Sequence, residues 1–62
     1  MKVSVLTRTE ASGRRIIYGV YVDDEKGTSE EKARKAKADM LKLYKAPSNL
    51  CVDTEIDTRE AE

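Results

Sequence analysis

The chain has no histidine, tryptophan or phenylalanine, and only one cysteine and one proline among 62 residues. Without histidine it lacks the side chain most used for proton transfer near neutral pH, and the commonest metal ligand. Cys51 alone cannot close an internal disulfide, and with no histidine it has no second soft ligand for zinc. An unpaired cysteine favours a reducing compartment, because secreted mini-proteins of this size carry several paired ones, so a cytoplasmic location is expected. No apolar run approaches the roughly 20 residues of a membrane span. The opening MKVSVLTRTE is too polar and too short in its apolar part for a signal peptide. No cofactor, metal or membrane partner is expected.

A chain of this length forms one domain whose single core supplies only a few kcal/mol, so disulfides, metals or oligomerisation commonly assist. With the first two aids missing, oligomerisation remains, and a homodimer is expected. Charged residues make up 39% of the chain and cancel to zero. Their distribution is uneven. Residues 1–22 and 32–45 are basic, whereas 23–31 and 53–62 are acidic, so zero net charge conceals alternation in sign.

Residues 2–9 alternate as a strand rich in β-branched side chains, and Glu10-Ala11-Ser12-Gly13 supplies turn chemistry before the apolar run Ile16–Val22. The spacing predicts a hairpin. Gly19 marks a weak point, a bulge, or a place where a bulky neighbour lies across the sheet. Thr28-Ser29-Glu30-Glu31 fits a capping box, and Pro47 disfavours helical geometry at Ala46, which predicts a helix from Thr28 to near Lys45. Its apolar side gathers Ala33, Ala36, Met40, Leu43 and Tyr44. Leu50, Val52, Thr54 and Ile56 alternate with Cys51, Asp53, Glu55 and Asp57, the pattern of a third strand with one acidic face and Cys51 at the sheet edge. The expected fold is α+β in the order β-β-α-β. It is a three-stranded sheet built on an antiparallel hairpin, with one helix packed on one face. Residues 1–57 form the domain and 58–62 a frayed acidic tail.

The second strand is apolar on both sides: Ile16, Tyr18, Val20 and Val22 alternate on one, Ile17 and Tyr21 fall on the other. The helix is expected to cover Val3, Val5, Ile16, Tyr18, Val20 and Val22, joined by Leu50, Val52 and Ile56. Aspartate at Met40 or Val20 should then unfold the domain. One helix covers one face, so Ile17, Tyr21 and Leu6 are expected to form an interface on the other.

Chemistry-bearing constellations are sparse. The run Asp23-Asp24-Glu25 lacks the alternating register of a calcium loop and reads as a turn leading into a helix cap. Carboxylates near Cys51 oppose thiolate formation, so no nucleophile is expected and the chain does not read as an enzyme. Arg34, Lys35, Lys42 and Lys45 share a sector of the helix, and with Arg8, Arg14 and Arg15 near the hairpin they form a candidate nucleic-acid contact. A hairpin followed by a capped Glu/Ala/Lys-rich helix resembles, in architecture alone, the integrase-type and plant AP2-type DNA-binding domains. The resemblance implies readout by sheet arginines, whereas the tryptophans those domains also use are absent here. The expected function is a small non-enzymatic interaction module, a homodimeric regulator or inhibitor that binds another macromolecule. Nucleic-acid binding is the alternative.

Overall fold

Three strands, β1 (Lys2–Thr9), β2 (Arg15–Val22) and β3 (Asp53–Glu60), and one helix, α1 (Ser29–Leu43), follow in the order β-β-α-β in the computed structural model, which describes residues 1–61. The strands form one antiparallel sheet of order β2-β1-β3. The α+β architecture is the expected one. Gly13 takes φ +90° in the hairpin turn, where Gly13 N donates to Glu10 O (2.9 Å) and Glu10 N to Arg14 O (2.8 Å).

The helix begins at Thr28, which forms the hydroxyl half of a capping box, the Glu31 carboxylate reaching back to that hydroxyl in place of the Thr28 amide. Thr28 Oγ1 accepts from Glu31 N (3.2 Å) and donates to the Glu31 carboxylate (3.2 Å). Asp23 adds a second cap from the preceding strand end, its carboxylate accepting from Ser29 N (2.7 Å) and Lys2 N (2.9 Å). The helix ends two residues before the expected Lys45. There the backbone turns left-handed (φ 52°), with Lys45 N bonding Lys42 O and Ala46 N bonding Leu41 O. That pair of bonds is a Schellman closure built without glycine.

Relative to the sequence reading, the face of the sheet that meets the helix is reversed. Leu6 is fully buried with Met40 and Cys51, and Tyr21, Ala36, Leu41, Tyr44, Ala46 and Ile56 pack around them. Val20 and Val22, expected beneath the helix, are exposed. The inversion has two causes. β3 presents Asp53, Glu55, Asp57 and Arg59 on the side of Val3, Val5 and Thr7, since cross-strand partners share a face (Val3↔Arg59, Val5↔Asp57, Thr7↔Glu55). A helix on that side would strip four charges of water. The second cause is a bulge: Leu6 pairs with Gly19 and Thr7 with Ile17, so Tyr18 is the extra residue and the alternation of β2 slips by one. Ile16 and Tyr18 stay on the helix side, Tyr18 meeting Tyr44 edge-on at 6.3 Å, while Ile17 joins Val20 and Val22.

Small residues let the helix approach. Ala33, Ser29 and Ser4 are buried, and Ser4 Oγ donates to Ser29 Oγ (2.9 Å) while lying 2.8 Å from Thr58 Oγ1. Having spent its only proton on Ser29, Ser4 accepts from Thr58, so one hydroxyl chain ties β3, β1 and the start of α1. Gly19, next to the bulged Tyr18, is a place of close approach, since a Cβ there would lie 2.5 Å from the Tyr21 hydroxyl oxygen and 2.8 Å from the ring carbon bearing it. Gly19→Ala should therefore destabilise by about 1–3 kcal/mol by displacing the ring, although alanine normally suits a strand better than glycine. Denaturant unfolding checks the sign: a more stable variant would mean that the ring moves aside freely.

The third strand starts later and ends later than its sequence pattern suggests. Ser48 and Cys51 exchange both backbone hydrogen bonds (3.1 Å each) in a tight turn that leaves Leu50 and Val52 exposed and buries Cys51, which is a core residue and not an edge one. Thr58, Arg59 and Glu60, expected to fray, pair with Ser4, Val3 and Lys2, and Ala61 N donates to Met1 O (2.8 Å). Glu62, the last of the expected tail, lies outside the described residues.

Candidate functional site

The side of the sheet away from the helix carries Val3, Val5 and Thr7 from β1 and Ile17, Val20 and Val22 from β2, in cross-strand register. Ile17 is 65% and Val20 59% exposed. Among the described residues no side chain from outside the sheet covers these strands, since α1 lies on the other face. Toward β3 the apolar surface passes into charge. Arg15 reaches across to Glu55, and Arg59 Nε donates to Asp57 (2.9 Å), so each cation on this face is matched.

Of the residues expected to form an interface here, Ile17 occupies the open face and the other two do not. Leu6 lies in the core and Tyr21 packs under the helix, where burial, helped by Tyr18, pushes its phenol above the usual range. Both were displaced by the reversal described above. Val20 and Val22, the exposed residues the sequence reading missed, were detectable from the charges of β3.

The cations expected to meet nucleic acid are scattered. Arg8 is internal: its guanidinium donates to Leu50 O (2.6 Å), pairs with Glu10 (3.4 Å) and lies 4.8 Å from the centroid of the Tyr44 ring. Arg15 is held by Glu55 on the open face, and Arg34 by Glu30 at 3.0 Å. Arg14, Lys35, Lys42 and Lys45 are exposed and make no ion pair among the described residues. The sheet-arginine readout implied by architectural resemblance has little to work with. The open face offers Arg15 and Arg59, each against a carboxylate, beside Asp53.

The acidic turn is structural. Bonds from the Ser29 and Lys2 amides hold Asp23 below the usual carboxylate range, and the Lys32 ammonium, with the Lys26 amide, does the same for Asp24. A carboxylate lowered by folding contributes stability that is complete above its unfolded value and is lost as pH falls through the folded one. Stability should therefore decline as pH drops below about 3.8, the ordinary aspartate value, and Asp23→Asn should flatten the decline. Urea midpoints from pH 5 to pH 2 test this, an unchanged slope in the variant being the contrary result.

A cavity of about 260 Å³ opens beside the helix C-terminus, lined by Leu41, Ala46, Pro47, Cys51, Val52, Asp53 and Thr54. Among the described residues no three His, Cys, Asp or Glu side chains are placed to hold a metal, and no helix is long and apolar enough to cross a membrane. No protein-family model matches the chain, and no curated protein and no solved structure matches it significantly.

Proposed function

We propose that this chain is a small non-enzymatic interaction module, a regulator or inhibitor that acts by seating the open face of its sheet on another polypeptide. The observation that carries the reading is the run of exposed Ile17, Val20 and Val22 beside Val3 and Val5, with nothing among the described residues to cover it. Contiguous apolar surface on a small soluble domain marks an interaction site more often than scattered single residues do. The sequence agrees with the non-catalytic half of the reading. It has no histidine, and its one thiol is in the core. Affinity capture with the wild type and with Ile17→Lys tests it. Polypeptides retained by the wild type should be lost from the variant, and an identical set from both would remove the open face from the function.

A second reading, nucleic-acid binding, draws on Arg14, Lys35, Lys42 and Lys45, which are exposed and lack ion-pair partners among the described residues. Retention on DNA or RNA at low salt, falling steeply as salt rises and lost in the double variant Lys35→Glu, Lys42→Glu, would favour it. Absence of retention at low salt would end it, because electrostatic attraction is then strongest.

A further inference from the structure

We propose that the free edge of β3 docks an extended segment of another polypeptide, which adds a fourth strand, alternates basic with apolar residues and seats one apolar side chain in the cavity beside the helix C-terminus. This edge is separate from the apolar run on β2, and different observations point to it.

The backbone decides what an edge can take. Ala61 N donates to Met1 O (2.8 Å), and β3 runs against β1 in unbroken register from Lys2↔Glu60 to Thr9↔Asp53. Successive residues of an antiparallel strand direct their N–H and C=O groups to alternate sides, so Glu55, Asp57 and Arg59 bond to β1 while Thr54, Ile56 and Thr58 face outward. The Asp53 carboxylate holds the Thr54 N–H (2.9 Å). Both backbone groups of Ile56 and Thr58, and the Thr54 carbonyl, have no hydrogen-bond partner among the described residues. An extended backbone matches the spacing of that row, which is how strand addition recognises a peptide. The other edge of the sheet is guarded. β2 is bulged at Tyr18, and its outward Val22 O accepts from Lys32 Nζ (2.8 Å), the neighbouring Asp23 N being turned inward to Lys2 O. A bulge and a lysine are devices that blunt a strand edge, and β3 has neither.

The side chains of β3 then select the occupant. Cross-strand neighbours share a face, so residues opposite Glu55 and Asp57 fall on the open side of the sheet and those opposite Thr54, Ile56 and Thr58 on the helix side. On the open side β3 carries three exposed carboxylates, Asp53, Glu55 and Asp57, against Arg59. Arg15 and Arg59 pair with two of them in solvent, where such contacts are weak, and Asp53 has no ion pair among the described residues. Lysine or arginine is therefore favoured in the incoming strand. The same charges reject a second copy of β3: an antiparallel pair centred on Ile56 sets the Glu55 of each copy against the Asp57 of the other. On the helix side the cavity of about 260 Å³ opens where β3 begins, lined by Leu41, Ala46, Pro47, Val52 and Thr54. Roughly 150 Å³ is enough for a benzene-sized group, so a side chain as large as phenylalanine fits. The residue opposite Thr54 is the one that reaches it. In an antiparallel segment that residue lies toward the C-terminal end.

A synthetic peptide that alternates lysine with valine, with phenylalanine at the position opposite Thr54, tests the proposal when titrated into the isotope-labelled full chain. Expected are exchange protection of the Ile56 and Thr58 amides, and Hα–Hα NOEs from Glu55 and Asp57 to the peptide lysines. Glutamate in place of lysine, serine in place of phenylalanine, or N-methylation of the peptide amides that face β3 should each weaken binding about 10-fold or more. These changes leave the protein untouched, so misfolding cannot imitate them. Asp57→Lys, at an exposed position, should weaken the lysine peptide and strengthen the glutamate one. No binding at millimolar peptide, an N-methylated peptide that binds as tightly as its parent, or NOEs that arise from β2 would each overturn the proposal. Ile17→Lys separates the two surfaces. Peptide binding should survive it unchanged, and its loss would take the ligand off this edge. Peptide binding at β3 with capture of other polypeptides indifferent to Ile17→Lys sustains the edge and removes the open-face reading alone.

Discussion

Aspartate at Leu6 or Met40 should unfold the chain, and aspartate at Val20 should leave it folded. Leu6 and Met40 are completely buried, and with Cys51 they make up the centre of a very small core. A carboxylate there has no cation within the cluster, and burying it unpaired costs several kcal/mol or drives it to accept a proton. Stability of a domain this size is on the order of 3–9 kcal/mol, so the substitution consumes most of it. Val20 is 59% exposed, on the opposite side of the same sheet. Its aspartate variant, measured at a concentration low enough to exclude association, should stay within about 1 kcal/mol of wild type. Denaturant unfolding followed by circular dichroism reads all three variants. Cooperative unfolding of Leu6→Asp with near-wild-type stability, or collapse of Val20→Asp, would place the helix on the other face.

The element order, the hairpin, the capping box and the turn chemistry were all legible in the sequence, because each rests on local signals a few residues long. The sidedness of the sheet was harder. Judged by apolar content alone, Val3, Val5, Val20 and Val22 outweigh Ser4, Leu6, Gly19 and Tyr21, and the richer side was expected to be the core. The side the helix covers is instead chosen by what cannot be buried. Asp53, Glu55, Asp57 and Arg59 fix the outward side of β3, and register carries that choice to β1 and β2. A short chain can thus expose its most apolar strand surface because a neighbouring strand is charged. The slip at Tyr18 was beyond a period-two reading, although Gly19 signalled it. Leu50 and Val52 misled for a similar reason: strict alternation continued through the tight turn at Ser48–Cys51, where the strand had not begun. The placement of Ile17 on the open face followed from the pattern only by way of an assignment that was inverted for Leu6 and Tyr21.

Arg8→Ala should destabilise the fold by about 2–4 kcal/mol, more than the loss of any other ion-paired side chain described here. Most of the ion pairs lie in solvent, where such contacts contribute roughly 0–1 kcal/mol. Arg8 differs because its side chain is only 13% exposed and makes three contacts at once. It donates to Leu50 O at 2.6 Å, pairs with Glu10 at 3.4 Å, and lies 4.8 Å from the Tyr44 ring centroid. A hydrogen bond from a charged donor contributes roughly 1.5–3 kcal/mol, and a partly desolvated cation–π contact about 1. Together they fasten the hairpin end of β1 to the helix C-terminus and to the loop that precedes β3. Lysine keeps the charge without the planar fork, so Arg8→Lys should restore less than half of the loss. Thermal denaturation measures the loss, and hydrogen exchange at Asn49–Val52 shows whether the loop is what loosens. The same pair of measurements separates structure from recognition for a residue that the sequence placed among the nucleic-acid contacts. If Arg8→Ala were as stable as wild type and lost retention on nucleic acid, the guanidinium would be a phosphate ligand. If stability and loop protection fall together, it is a strut, and the basic surface open to a partner is confined to the hairpin tip and the outer side of the helix.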